Sequence, residues 1–380
     1  MPEISIQNPA ESLTCNQDMR PNALKYLCPL MIYVFSALAF TRPGWITWSP
    51  VLFVWVFVPI LELFLPADDR NFNEAEEALA KKDRLYDYLL YAIVPIQFAA
   101  LFLFFQSLQA TDMAWWELTG RIMSMGLLCG TFGINVAHEL GHRVNPAEQA
   151  MAKLLLLTSL YMHFFIEHNK GHHKHVATPQ DPSSARYNEL LYLFLGRSVW
   201  YSYWSAWRIA NEDMRKSGRG IFHWKNEMLQ AQIIQISFVV GIFLFFGWLT
   251  TVYFLCAAIL GISMLETVNY IEHYGLQRRQ LDNGKYERTL PIHSWNSNHL
   301  VGRLMLFELS RHSDHHYMAS RKYQILRHHD DVPQLPTGYP GSMMLALVPP
   351  AWFYVMNKRV EALKTMPRSA EVADDQYCVN

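Results

Sequence analysis

The chain has 380 residues, 51% of them hydrophobic and 14% aromatic, but only 17% charged. That charged share is low against about 25% in soluble globular domains, and a net charge of −1 removes the electrostatic case for a nucleic-acid partner. The five cysteines (Cys15, Cys28, Cys129, Cys256, Cys378) form no C-x-x-C pair, which excludes a readable disulfide framework or cysteine-metal site, whereas 16 histidines, most of them clustered, stand out.

Residues 1–24 are largely polar with Arg20 as their only base, so an uncleaved first helix is expected rather than a signal peptide. Six apolar runs then approach the ~20 residues that a helix needs to cross a bilayer: 26–40, 46–65, 88–108, 121–137, 233–250 and 252–270. The first contains Pro29 and joins the second through TRPGW, a turn that predicts a helical hairpin. The fifth and sixth are nearly continuous and predict another hairpin. Basic residues fall in 66–87 (Arg70, Lys81, Lys82, Arg84), in 138–228 and after 270, whereas 41–45 has Arg42 alone and 109–118 has none. Short cytoplasmic loops carry the excess of Lys and Arg. The expected architecture is therefore all-α and one integral-membrane domain over 1–380. It is a six-span helical bundle with both termini cytoplasmic and a histidine-rich cytoplasmic cap from 138–228 and 271–380.

This topology puts four histidine-bearing stretches on one side of the membrane. HELGH supplies His138 and His142, EHNKGHH supplies His168, His172 and His173, NYIEHYG supplies His273, and RHSDHH supplies His312, His315 and His316. Helical residues three or four apart share a face, so each multi-histidine stretch is expected to aim its rings at one point. Nine imidazoles exceed the four ligands of structural zinc and suit two metal ions. Imidazole alone does not choose among Zn, Cu, Fe and Ni. His163, His175, His293, His299, His328 and His329 lie nearby and are left outside the ligand set, and His223 reads as a lone surface or core histidine.

Carboxylates accompany the stretches. Glu139, Glu167, Glu272 and Asp314 each adjoin a candidate ligand, where an acid can offset metal charge and accept the other ring N–H. The plain alternative for each is a solvated interfacial acid. Glu266 lies within the sixth run and shares a helical stripe with Asn269 and His273; an ionisable residue inside a span is a functional candidate by default. Glu62, near the inner end of the second run, is explained by snorkelling.

HELGH, EHNKGHH and RHSDHH follow the three-box pattern of membrane di-iron desaturases and hydroxylases. NYIEHYG resembles the additional box of integral-membrane alkane hydroxylases and xylene monooxygenases, and HSWNSNH (293–299) and LPTGYPG (335–341) also look like that family. The resemblance runs from the first span to Pro350, with one departure at Ser310, where the family pattern has glutamine. It implies two non-heme irons held by the nine histidines, a bacterial inner-membrane location, and hydroxylation of the terminal carbon of medium-chain n-alkanes. Breaking an unactivated C–H bond requires a redox metal, O2 and electrons. Internal C–H bonds are the weaker ones, so selectivity for the chain end has to come from positioning in a narrow tunnel. Trp55, midway along the second span, is a candidate stop in that tunnel, against the alternative of a Trp packed on lipid or another helix.

The chain has neither C-x-x-C pairs nor a G-x-G-x-x-G fingerprint, so electrons are expected from a separate protein. The resemblance suggests rubredoxin, reduced by an NADH-dependent rubredoxin reductase and meeting Arg and Lys of the cytoplasmic segments. Four rival readings remain. HELGH by itself matches the H-E-x-x-H helix of zinc proteases, where the glutamate activates water, but that leaves seven clustered histidines unexplained. A fatty-acyl desaturase or a xylene-type hydroxylase shares the chemistry. A metal transporter would place its ligands at mid-membrane.

Overall fold

The structure, a computed structural model, describes residues 20–365. The polar start of the chain, Cys15, Cys378 and both termini lie outside the described residues. Apart from three isolated β-bridges, the described residues are helical or irregular. The principal helices are α1 (Asn22–Thr41), α2 (Gly44–Phe64), α3 (Glu74–Lys82), α4 (Leu85–Ser107) and α5 (115–141). They continue as α6 (Pro146–Leu157), α7 (164–175), α8 (Leu191–Lys216), α9 (227–246), α10 (248–273), α11 (Leu300–Met305), α12 (His312–Tyr317), α13 (Tyr339–Ala346) and α14 (Pro349–Thr365).

Among the described residues, four stretches are long and apolar enough to cross a membrane: α1, α2, α4 and the 47-residue run Glu227–His273. That last run is not one rod. Gly247 sits at φ 82°, ψ 173°, a conformation open to glycine because it lacks Cβ. The rings of Phe238 and Phe254 are 5.8 Å apart, whereas sixteen residues of straight helix would separate them by ~24 Å. The chain therefore folds back at Gly247, and α9 and α10 form the expected hairpin. Its bounds differ from the apolar runs, because Asn226 caps the start by accepting from the amides of Met228 and Leu229, and α10 continues to His273. Hydropathy marks where a helix is apolar, not where its hydrogen-bonded ladder stops.

α5 is the helix expected as the fourth span. Glu117, Arg121, Asn135 and the HELGH residues dilute its apolar run, and it is not among the four stretches above. Every residue from 124 to 141 is buried, as in a helix enclosed by others. Its tightest neighbour is α10. A Cβ on Gly261 would lie 2.5 Å from Cβ of Cys129 and 3.0 Å from the amide N of Gly130, and one on Gly126 would lie 2.7 Å from Cβ of Leu260. The GLLCG segment thus lets the two backbones approach as small-xxx-small pairs do in membranes. This contact joins the helix bearing His138 and His142 to the helix bearing His273.

The bundle runs up and down. At one end Trp48 donates to the Trp116 carbonyl (3.0 Å) and Gln109 to Thr250 (3.0 Å), gathering the α1–α2, α4–α5 and α9–α10 connections. At the other end Tyr26 donates to Glu308 (2.7 Å), the Gly302 amide to Glu62 (2.8 Å) and Tyr323 to the Tyr86 carbonyl (3.1 Å). All the histidine stretches and the Lys- and Arg-rich segments lie at this second end. Glu62 does not snorkel. It is 6% exposed and packs so closely on the start of α13 that a Cβ on Gly338 would fall 2.0 Å from its Oε2.

Candidate metal centre

The nine histidines form two groups. His138, His142, His168, His173 and His315 make one, and His172, His273, His312 and His316 the other, with one ring nitrogen of each lying within 4.8 Å of the others in its group. The stretches do not each aim at a single point, as helical spacing suggested. EHNKGHH sends His168 and His173 to the first group and His172 to the second, and RHSDHH sends His315 to the first and His312 and His316 to the second.

The local backbone explains the split. Residues 168–172 form a π-helical turn in which the His173 amide bonds to the His168 carbonyl. Five residues per closure place His173 over His168, and His172 is rotated away. Such turns concentrate at functional sites. In α12, His312 and His316 share a face at i,i+4 while His315 points to the other group. The two His-His pairs, 172–173 and 315–316, therefore bridge the groups and fix their spacing covalently.

Within the five-histidine group the Nε2 atoms meet head on: His138 with His315 at 2.9 Å, His315 with His173 at 3.1 Å, His173 with His168 at 3.0 Å and His168 with His142 at 3.1 Å. Four such approaches need four protons among five nitrogens, and a nitrogen that donates to one neighbour has no lone pair for the next. A shared cation satisfies all five lone pairs. Donors about 2.1 Å from a common metal are about 3.0 Å apart at right angles and about 3.4 Å apart at tetrahedral angles. The observed spacings match right angles, so the group suits five or six donors rather than tetrahedral zinc. The second group is looser, with 3.2 Å between His172 and His316 and 3.3 Å between His312 and His273.

The electrostatics point the same way. Burial, reinforced by neighbouring imidazoles, holds His168 and His315 well below the usual histidine range, which keeps them in the neutral form that binds metal. At His172 burial pushes down too, but the Asp181 carboxylate, 2.9 Å from Nδ1, together with Glu167 and Glu266 turns the net shift upward. A metal on Nε2 would take the place of that second proton. Around the groups lie Glu167, Asp181, Glu266 and Glu272, each no more than 3% exposed. Among the described residues none of the four has a Lys or Arg partner. Buried carboxylates without a counter-charge are costly; metal ions held by nine neutral rings would supply it. The residues present therefore fit a pair of metal ions.

The acids singled out in the sequence take different places. Glu266 accepts from Tyr161 (2.7 Å), Ser198 (2.5 Å) and Asn269 (3.3 Å). Burial, then the nearby Asp181, pushes Glu167 up to about 8. Glu139 instead accepts from Arg143 at 2.6 and 3.1 Å and from the Tyr323 amide at 3.2 Å. Asp314 accepts from Arg321 at 2.5 and 2.7 Å and lies 2.8 Å from His329. Both are bound by basic side chains, not by a ring of either group, because the helical turns that converge the histidines rotate these neighbours outward. Asp181, which orients His172, escaped the sequence reading; no spacing rule links QDPSS to a histidine nine residues earlier. None of His163, His175, His223, His293, His299, His328 and His329 belongs to either group.

An apolar cavity adjoins the centre from the bundle side. Asn135 and Val268 in its wall lie one helical turn before His138 and Glu272, and Leu309 lies three residues before His312. Trp55 of α2 and Tyr339 of α13 also line it.

A helical membrane bundle with two converging polyhistidine groups defines the desaturase–hydroxylase class of oxidoreductases. Consistent with this, the fatty acid desaturase family model matches residues 114–343. The chain is 44% identical to alkane 1-monooxygenase 2 of Pseudomonas aeruginosa over 83% of its own length and 84% of that protein. It is 40% identical to alkane 1-monooxygenase 1 of Alcanivorax borkumensis, covering 84% and 80% of the two chains. It is also 28% identical to the xylene/toluene monooxygenase hydroxylase component of Pseudomonas putida, over 64% of each. The chain belongs to the alkane 1-monooxygenase family.

Proposed function

We propose that this protein hydroxylates the terminal carbon of medium-chain n-alkanes to 1-alkanols, using O2 and electrons delivered by rubredoxin. In this reading the whole chain is one domain with six membrane spans: α1, α2, α4, α5, α9 and α10. The histidine-rich end and both termini face the cytoplasm of a bacterial inner membrane. The observation that carries the reading is the pairing of two groups of five and four histidines, seven of the nine buried, with an apolar cavity beside them.

Two irons would be held by the nine histidines, and when bound they supply the redox chemistry that activates O2. The rest follows from the chain's own residues. The cavity wall is apolar, so it takes alkane from the bilayer and excludes water. Presenting one end of the substrate to the histidine groups would supply the selectivity that bond strengths oppose. Trp55 in the wall limits how far the chain can extend. Asp181 fixes the His172 ring through Nδ1, and Glu167, Glu266 and Glu272 offset the metal charge. The desaturase reading shares these residues, and product analysis separates the two. The protease reading is opposed by Glu139, which is tied to Arg143 instead of being free to activate water.

The test is turnover of octane by the reconstituted protein with rubredoxin, its reductase and NADH under 18-O dioxygen. Labelled 1-octanol is expected. Octene, unlabelled alcohol or no product would overturn the reading.

A further inference from the structure

α8 is built inside out. Toward the protein it turns Ser198, Ser202 and Ser205, all buried. Outward it exposes Leu193 (66%), Trp200 (61%), Tyr201 (57%) and Trp204 (48%), and no exposed residue between 191 and 207 is charged. A helix facing water has the opposite order. Resting on the membrane architecture proposed above, we propose that this half of α8 lies in the cytoplasmic leaflet of the bilayer, with its aromatic face docked against lipid, and is not part of a water-exposed cap.

Contacts with two spans set its depth. The Phe194 ring lies 5.4 Å from that of Tyr270, and Ser198 donates to Glu266 at 2.5 Å. Glu266 is seven residues, or ~10 Å, before the end of α10. α8 thus descends along α10 as its residue numbers rise. On the side of α9, the Tyr203 ring lies 5.3 Å from His163, and the adjoining Met162 amide donates to Gln235 at 2.9 Å. Gln235 is eight residues, or ~12 Å, inside a helix whose charged start, Glu227, pairs with Lys153. Around Gln235, Ile233, Ile234 and Ile236 are exposed, as lipid-facing residues of a span are. The aromatic half of α8 therefore lies beside apolar surface of α9 and α10, below the level at which α9 begins.

The second half of the helix returns to that level. Beyond Trp204 the exposed residues are Arg208, Glu212, Arg215 and Lys216. Asp213 shares Lys170 with Glu227 at the start of α9, at 2.7 and 3.7 Å. The charges thus begin where the helix leaves the apolar layer. Trp and Tyr are the residues that favour the boundary between headgroups and acyl chains. Polar side chains at membrane depth turn to the protein interior, as Ser198 does toward Glu266. In water the same outward face would be a contiguous apolar patch of the kind that marks an interaction surface.

The experiment is photo-crosslinking of the full-length protein in nanodiscs that contain a phospholipid with a diazirine in its acyl chain, the adducts being located by mass spectrometry. Adducts are expected on the peptide holding Trp200, Tyr201 and Trp204, as well as on peptides of α9 and α10. A second arm treats Trp200→Cys, Trp204→Cys and Lys82→Cys, a control at an exposed position of α3, with a membrane-impermeant maleimide in the same nanodiscs. The two α8 thiols are expected to lose the labelling that the control retains. Adducts on α9 and α10 with none on α8, or labelling of both α8 thiols at the control's rate, would overturn the inference. Loss of labelling without lipid adducts, the mark of a second copy covering the face, would overturn it too. Absence of adducts from α9 and α10 as well would remove the membrane architecture on which it rests.

Discussion

His168 and His173 stand five residues apart in one helical segment, yet their Nε2 atoms are 3.0 Å apart. An α-helix would point them to different sides. The π-helical closure from His173 to His168 brings them together and frees His172 for the other group. One short stretch thereby serves two metal positions.

Gly171 sits inside that turn. A Cβ there would lie 2.4 Å from Oε1 of Glu167, a side chain 3% exposed with little room to yield. Gly171→Ala is expected to cost about 1–3 kcal/mol through overpacking and to lower iron content. Thermal unfolding in detergent together with iron analysis checks both effects.

Asp181 holds His172 by one hydrogen bond at 2.9 Å and is itself fixed by Ser184 at 2.5 Å. Removing such an outer partner typically weakens metal binding by about 10–100-fold. Asp181→Asn should show that loss in chelator competition, with the helical content unchanged in circular dichroism.

Trp55 lines the cavity and is half-buried. Trp55→Ser should lengthen the space available and shift the product range to longer alcohols. Gas chromatography of products from an alkane mixture reads this directly. An unchanged range would remove Trp55 from the tunnel.

His163 is buried against the rings of Tyr161 and Tyr203, at 4.4 and 5.3 Å, and burial drops it to about 4 from the ordinary 6.5. The unfolded chain therefore takes this proton first. The contribution is present above pH 6.5 and is lost as pH falls toward 4, on the order of 3 kcal/mol in full. His163→Phe should flatten the pH dependence of thermal unfolding across that window.

Much of this was legible in the sequence because it rests on periodicity and composition. Apolar runs located the bundle helices, and TRPGW located the first hairpin. Nine of the histidines stand in four short stretches beside helix ends, and those nine converge in two groups. What could not be read was how they divide. The division depends on a π turn at 168–172 and on helix orientation around 312–317, neither of which spacing encodes. The acids show the same boundary. Glu139 and Asp314 adjoin ligands in sequence but turn to Arg143 and Arg321, while Asp181 is remote in sequence and adjacent in space. The hairpin of the fifth and sixth runs was legible, but its break, expected between residues 250 and 252, falls at Gly247, where backbone φ places it.

The central claim is that nine histidines hold two redox-active ions, and metal analysis combined with X-ray absorption at the metal edge on the purified parent protein tests it most directly. The account predicts about two irons per chain in nitrogen-rich shells. A single zinc in a four-coordinate shell would contradict it.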